Sequence, residues 1–242
     1  MLQNENECFD VAIITNKGGK QVNEDSVFVK QTENGIIACV ADGLGSHGGG
    51  DVASKAVVAV FGSTLPNVGY SDDAVIKECF TAANAAVIAN QTAETSMKST
   101  AVALFAEGDT VKFAHIGDSR GYLFANGKIT TQTLDHSVAQ MSVFRGDITP
   151  AEVRFHPKRN QVMQALGAGD NVEITALTRA AKMAFLLCSD GFWEYVNENE
   201  MELDLAKSVN AEQWLSFMNS RLSERVPADH DNVSAIAIIE GA

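Results

Sequence analysis

Four short acidic signatures stand at the edges of apolar runs. They are Asn23-Glu24-Asp25, Asp42-Gly43 after the run 36–41, Asp190-Gly191 after the run 185–189, and Asp231-Asn232 before the run 233–239. Apolar runs of this length, rich in Val and Ile, read as buried strands. A carboxylate at the end of a buried strand lies where core meets water, and several such ends in one sheet system can converge. Converging carboxylates repel and cannot all stay ionised unless a cation compensates them. Oxygen-only clusters suit hard divalent ions such as Mg2+ or Mn2+. The residue types alone therefore point to a metal-centred site.

The rest of the chain must bring those ends together. It has 242 residues, 45% of them hydrophobic, which is ample for a real core. With four prolines and no Pro/Gly/Ser-rich linker, a single domain over 1–242 is expected. Strands are expected over 9–15, 26–29, 36–41, 100–105, 111–116, 120–124, 128–131, 172–177, 183–188 and 233–239. Asn126-Gly127 between two of them is a type I′ hairpin signal. A helix opening at Asp51 carries Ala53, Ala56, Val57, Val60 and Phe61 on one face. Ser71 caps a second, with Asp72 and Asp73 in its first turn and a stripe of Val75, Ile76, Cys79, Phe80, Ala83 and Val87. Asn210 with Gln213 reads as the capping box of a late helix carrying Trp214, Leu215, Phe217, Met218 and Leu222. Hairpin-linked strands, an early helix pair and a lone late helix make an α+β fold, not a βαβ alternation. Two antiparallel sheets face to face with helices outside would bury both faces of each sheet, which accounts for continuous apolar runs in an antiparallel fold.

The net charge of −13 and the absence of a basic stripe exclude binding to nucleic acid by phosphate neutralisation. Cys8, Cys39, Cys79 and Cys188 form no CxxC pair and read as free thiols of a reducing compartment. The start of the chain lacks the basic and apolar segments of a signal peptide, and no apolar run approaches the ~18–20 residues of a membrane span. No membrane partner and a cytoplasmic location are the expectation.

Taken in order and spacing, Asn23-Glu24-Asp25, Asp42-Gly43-Leu44-Gly45, Gly117-Asp118-Ser119-Arg120, Asp135-His136-Ser137, Ser189-Asp190-Gly191 and Asp231-Asn232 resemble the motifs of the type 2C metal-dependent protein serine/threonine phosphatases. The resemblance covers the chain from about residue 10 to 239 and looks like the stand-alone catalytic domain of bacterial members. It implies a four-layer α+β sandwich, two central antiparallel sheets flanked by helices on both sides, with Mn2+ or Mg2+ in a channel at the sheet edges. It also implies roles. Asp42 would bridge two ions. Asp190 and Asp231 would hold the first with it, and Glu24 and the Gly43 carbonyl the second. Asp25 would orient waters, and Asp118 with Asp190 would take a third ion. Gly43 would serve because a residue without Cβ lets its carbonyl approach an ion. The activity implied is hydrolysis of phosphoserine and phosphothreonine in proteins by a metal-bridging hydroxide, opposing a serine/threonine kinase. A pseudophosphatase that binds phosphoproteins without turnover is the alternative, and a phosphatase for small phosphate esters is a third reading.

Two departures from the family pattern stand out. Lys20 occupies the position where the family carries a phosphate-gripping arginine, and lysine is a point charge without the bidentate fork. It is expected either to touch phosphate with looser geometry or to be an exposed loop lysine. Leu44 replaces the histidine that serves some relatives as general acid, leaving metal-bound water or another histidine such as His47. Asp135 and His136 read as structural, and His115 as a core or channel-wall residue. Gly-Asp-Ser-Arg at 117–120 also reads as a turn in which Asp118 caps local amides and Arg120 pairs at the surface. The stretch 137–171 corresponds to the family's flap. Its Arg145, Arg154, His156, Lys158 and Arg159 are either a mobile docking surface for phosphorylated segments or a solvated charged face. Lys17-Gly18-Gly19-Lys20 lacks the spacing and following helix of a phosphate-binding loop.

Overall fold

In chain order the elements are β1 (Phe9–Asn16), β2 (Asp25–Thr32), β3 (Gly35–Leu44), α1 (Gly50–Thr64), α2 (Asp73–Ala89), β4 (Lys98–Ser99), β5 (Ala101–Glu107), β6 (Thr110–Ile116), β7 (Arg120–Ala125), β8 (Lys128–Gln132), α3 (Val138–Phe144), a 3-10 turn (Pro150–Phe155), β9 (Glu173–Ala176), β10 (Met183–Cys188), α4 (Asp190–Trp193), α5 (Glu198–Lys207), α6 (Ala211–Arg225) and β11 (Val233–Glu240). The computed structural model describes residues 9–32, 35–45, 48–64 and 72–241. One antiparallel sheet has the order β1-β11-β10-β7-β8, the other β2-β3-β5-β6-β9 with β4 paired to β3.

The long apolar runs are explained by alternation, because successive strand side chains point to opposite faces. In β3, Ile36, Ala38 and Val40 join Val102, Leu104, Phe185, Leu187, Ile236 and Ile238 in the core between the sheets. The interleaved Ile37, Cys39 and Ala41 face α1 and α2 and pack on Val57, Phe61, Cys79 and Phe80. In β10, Phe185 and Leu187 point inward, while Leu186 and Cys188 meet Trp214, Leu215 and Met218 of α6. Three apolar layers between four layers of structure make the expected sandwich.

Several local expectations hold. Asn126 and Gly127 have φ of 52° and 77°, the double positive φ of a type I′ turn. The Asn210 side chain accepts from the Gln213 N–H at 2.8 Å, but Gln213 turns its own side chain to the Val209 N–H, so the box is only half formed. Others are corrected. The cap of α2 is Asp72, which accepts from the Ala74 N–H at 2.9 Å; Ser71 lies outside the described residues, as do Cys8 and His47. The late helix is not alone, because α5 packs beside it through Met201. Cys39, Cys79 and Cys188 are buried free thiols. Among the described residues no helix is long and apolar enough to cross a membrane.

Candidate active site

Both sheets present the same kind of edge at one end of the sandwich. There β2 begins and β3 ends, with Asp25 directly opposite Asp42. In the other sheet β10 ends where β7 and β11 begin, with Cys188 opposite both Arg120 and Ala235. Residues just beyond or at these ends therefore arrive together. Glu24, Asp42, Asp118, Asp190 and Asp231, with Lys20 and Gly43, line one cavity of about 390 Å3. Asp25 does not line its wall. It is buried, and its Oδ2 accepts from the Ser189 hydroxyl at 2.8 Å, a bond that ties the two sheets together.

Backbone contacts position the acids. The Asp42 carbonyl accepts from the Thr100 N–H at 2.8 Å and the Ser99 hydroxyl at 3.1 Å, and its N–H donates to Thr100 Oγ1. Glu24 Oε1 accepts from the N–H of Gly50 at 3.2 Å, at the start of α1, where the helix dipole favours a carboxylate. A Cβ on Gly43 would lie 1.9 Å from the Gly50 carbonyl, so the helix that crosses it also requires the glycine. A Cβ on Gly50 would lie 2.6 Å from the Gly43 carbonyl and 2.7 Å from Glu24 Oε1. These two oxygens thus converge on a spot that only glycine leaves open. Gly18 and Gly19 likewise let the 17–20 loop press on 228–231, since a Cβ on either would lie 2.2 Å from a carbonyl there. That close approach sets Lys20 Nζ 3.5 Å from Asp231.

Asn232 is the clamp of this corner. Its Oδ1 accepts from the Glu24 N–H at 2.8 Å, and its amide donates to the carbonyls of Lys17 and Val22 at 2.8 and 3.0 Å. Sequence reasoning singled out the residue only as Asp231's neighbour. Losing a buried hydrogen-bonding group costs about 1–3 kcal/mol for each partner left unsatisfied. Asn232→Ala is therefore expected to lower Tm by roughly 5–10 °C, at about 2–4 °C per kcal/mol. It should also weaken Mn2+ binding in calorimetric titration, and unchanged Mn2+ affinity would show that Asn232 does not organise Glu24.

The electrostatics call for a cation. Burial, then repulsion from Asp25 and Asp190, pushes the Asp42 carboxyl well above the usual aspartate range. Burial and Asp118 do the same to Asp190. Burial and neighbouring Asp135 push Asp118 up to about 7, and burial raises Asp25 to about 6. One carboxylate oxygen of Asp25 and one of Asp118 are buried without a hydrogen-bond partner. Five carboxylates and a carbonyl with one facing lysine form an all-oxygen donor set, which fits Mg2+ or Mn2+ and not a thiolate- or imidazole-seeking metal.

Asp118 is not the cap of a surface turn. Its main-chain carbonyl accepts from the Trp193 indole N–H at 3.0 Å while its carboxylate faces the cavity. Arg120 is buried, grips Asp135 with two 2.8 Å bonds and stacks 3.5 Å over Trp193. Asp135 is thus structural. His136 and His115 stack at 4.7 Å, and with Glu173 they form a separate cluster behind the Gly117–Asp118 turn. Their ligand atoms lie within 4.8 Å of one another, close enough to share a metal ion. Nδ1 of His136 accepts from the Gly117 N–H at 3.2 Å, and its Nε2 lies 3.5 Å from Glu173.

Two of the flap's arginines are committed inward. Arg154 is buried, donating to the carbonyls of Trp193, Glu194 and Val196 and to Glu198. Arg159 pairs with Glu194, and Arg145 with Asp147. Neither a free docking surface nor a solvated face describes Arg154 and Arg159; they strap the flap to the α4–α5 segment that follows Asp190.

The family model of protein phosphatase 2C matches residues 16–229. The chain is 36% identical over 186 residues to the serine/threonine protein phosphatase PstP of Mycobacterium tuberculosis, covering 73% of this chain but 34% of that protein, so it spans about a third of the length of the first curated relatives it matches. It is 31% identical to the serine/threonine phosphatase stp of Listeria monocytogenes, over 89% of both chains. The crystal structure of the M. tuberculosis phosphatase superposes with a TM-score of 0.81 at 30% identity, covering 95% of this chain and 97% of that one. The catalytic domain of PstP solved with two manganese ions gives 0.80 at 28% identity, over 97% and 99%. Six acidic motifs in order, a shared fold over nearly the whole chain and a family model spanning most of it lead to one conclusion: the chain belongs to the protein phosphatase 2C family.

Proposed function

We propose that this chain hydrolyses phosphoserine and phosphothreonine in proteins with divalent cations held in the carboxylate cavity. The observation that carries the reading is the set of five carboxylates around one cavity whose lining, among the described residues, has Lys20 as its single cationic side chain. Asp42 would serve two Mn2+ or Mg2+ ions, Asp190 and Asp231 the first, Glu24 and the Gly43 carbonyl the second, and Asp118 with Asp190 a third. Bound there, the ions supply an activated water and neutralise phosphate oxygens for in-line displacement. The protein's part is to hold that oxygen array rigid through Asn232, Ser99 and Thr100, and to keep Asp25 beneath it as an acceptor for ordered water. Leu44 carries no proton for the leaving alkoxide, which leaves that role to water in the cavity or to another group such as His47. We further infer that the described residues act as one catalytic unit with the flap at 137–171. Its buried free thiols favour a reducing cytoplasm, where it would oppose a serine/threonine kinase.

Lys20 lies beside Asp231 at the rim, where a substrate phosphate would compete for its charge. Lys20→Ala is expected to raise KM for a phosphopeptide about two- to fivefold with little change in kcat, the size of a half-exposed charge contact. An unchanged KM would make Lys20 an ordinary loop lysine. The reading as a whole is tested by phosphate release from a phosphothreonine peptide with Mn2+, with Mg2+ and with chelator. Release that depends on either ion supports it. Equal release in chelator rejects the metal role, and binding without release under all three conditions turns the reading to a pseudophosphatase.

A further inference from the structure

We propose that a groove leading out of the carboxylate cavity along the flap receives the polypeptide on one side of the phosphorylated residue, with Lys98 selecting an acidic side chain and a pocket at Phe144 and Met163 selecting a large apolar one. The inference rests on the protein-phosphatase reading and names the substrate class that reading leaves open.

Three cavities adjoin in a row. A cavity of about 410 Å3 shares Leu44, Gly45, Asn160 and Val162 with the carboxylate cavity. A third, of about 360 Å3, continues from it through Met163 and Gln164. An extended peptide whose phosphate sits among the carboxylates therefore has an open path over residues 160–164.

Lys98 is the one charged side chain among the described residues lining the middle stretch. Its position is set by the same elements that set Asp42. In β4 it lies opposite Leu44 of β3. The adjoining Ser99 donates its hydroxyl to the Asp42 carbonyl at 3.1 Å and exchanges backbone bonds with Leu166 at 3.0 and 2.8 Å. Strand alternation then turns Ser99 into the core and Lys98 out to the groove. The flap arginines are tied to Glu194, Glu198 and Asp147, whereas Lys98 makes no ion pair with any described residue. In a chain of net charge −13, a lysine without an ion pair among the described residues, in a middle stretch whose other described lining is uncharged, is one that an acidic side chain would complement.

Beyond it, Met141, Phe144 and Met163 are 40%, 62% and 56% exposed around a floor that includes His136 and Glu173. Large apolar side chains grouped at a concave polar floor mark a binding surface, where scattered ones would not. Continuity with the carboxylate cavity commits this pocket to the same polypeptide.

The test uses the Mn2+-loaded protein and phosphothreonine peptides that carry glutamate or lysine at one flanking position at a time, and leucine or serine further out. Wild-type protein is expected to favour the best-placed glutamate over lysine about three- to tenfold in kcat/KM, the size of a partly exposed ion pair. Lys98→Glu should reverse that order. Phe144→Ser should remove most of a leucine-over-serine preference while leaving the glutamate-over-lysine ratio in place. Each readout is a ratio of two peptides on one protein, so loss of folded or active enzyme cancels. An unchanged glutamate-to-lysine ratio in Lys98→Glu, or equal turnover of all peptides by the wild type, would overturn the groove and leave the phosphatase reading standing. Turnover of p-nitrophenyl phosphate with none of any peptide would overturn both.

Discussion

Asp42→Asn is expected to lower Mn2+-dependent turnover of a phosphothreonine peptide by about a thousandfold or more, while raising the Tm of the chelated protein. Both effects come from one charge. Asp42 stands opposite Asp25 in the β2–β3 ladder and feels Asp118, Asp190 and Asp231, so four other carboxylates crowd its own. Asparagine has the same shape, and the bonds that locate residue 42 run through its backbone to Ser99 and Thr100. The fold therefore survives the change. Without cations, removing a buried, repelled charge relieves the folded state, and each kcal/mol relieved is worth about 2–4 °C in a chain this size. With cations, the neutral amide loses the anionic oxygen that two ions would share, and Mn2+ stabilises the variant far less than the parent. Turnover within tenfold of wild type would remove Asp42 from the centre of the site. A fall in the chelated protein's Tm would show that its charge is balanced by something other than a metal.

The ends of the strands were readable before their meeting was. The run 183–188 is β10 without adjustment, and its inward Phe185 and Leu187 differ from its outward Leu186 only by strand parity. Motif order then led to one pole of the sandwich, because antiparallel neighbours alternately begin and end there. What escaped the sequence was whatever depends on contacts between distant loops. α5 is built on an acidic stretch, and its weak apolar stripe hides behind Met201; the Asn197–Glu200 capping box was the signal available. The two residues of β4 are too short for any periodicity, yet they brace Asp42. The flap arginines read as solvated or docking charges because nothing local reveals that Trp193, Glu194 and Val196 turn carbonyls toward Arg154. Gly43 meets a second demand that no local pattern reveals, because the crossing of α1 forbids a Cβ there.

Chelated protein is expected to melt about 5–10 °C higher near pH 5.5 than near pH 8, and Mn2+ to abolish or invert that order. An ordinary aspartate titrates at about 4, and burial holds Asp25 to about 6 and Asp118 to about 7. A carboxyl raised in the folded state contributes stability that is whole below about 4 and is lost as pH climbs through the folded value. Asp42 and Asp190 are raised in the same direction and lose stability on the same side. His115 opposes them, since burial lowers its pKa and the unfolded chain takes up its proton below about 6.5, but it is one group against four. Glu200, held down to about 2 by its bonds to Arg225, contributes stability present above about 4.5 and lost only in more acid solution, outside the window. Cations bind the ionised carboxylates, so protons compete with them and their stabilisation is greatest at the alkaline end. Binding at a hundred times the dissociation constant adds about 2.7 kcal/mol per site. Scanning calorimetry at pH 5.5, 7 and 8, with chelator and with Mn2+, gives the two slopes. A chelated protein whose Tm drops steadily from pH 8 to 5.5 would mean that these carboxyls are not strained by one another. The need for a cation would then lose its physical basis.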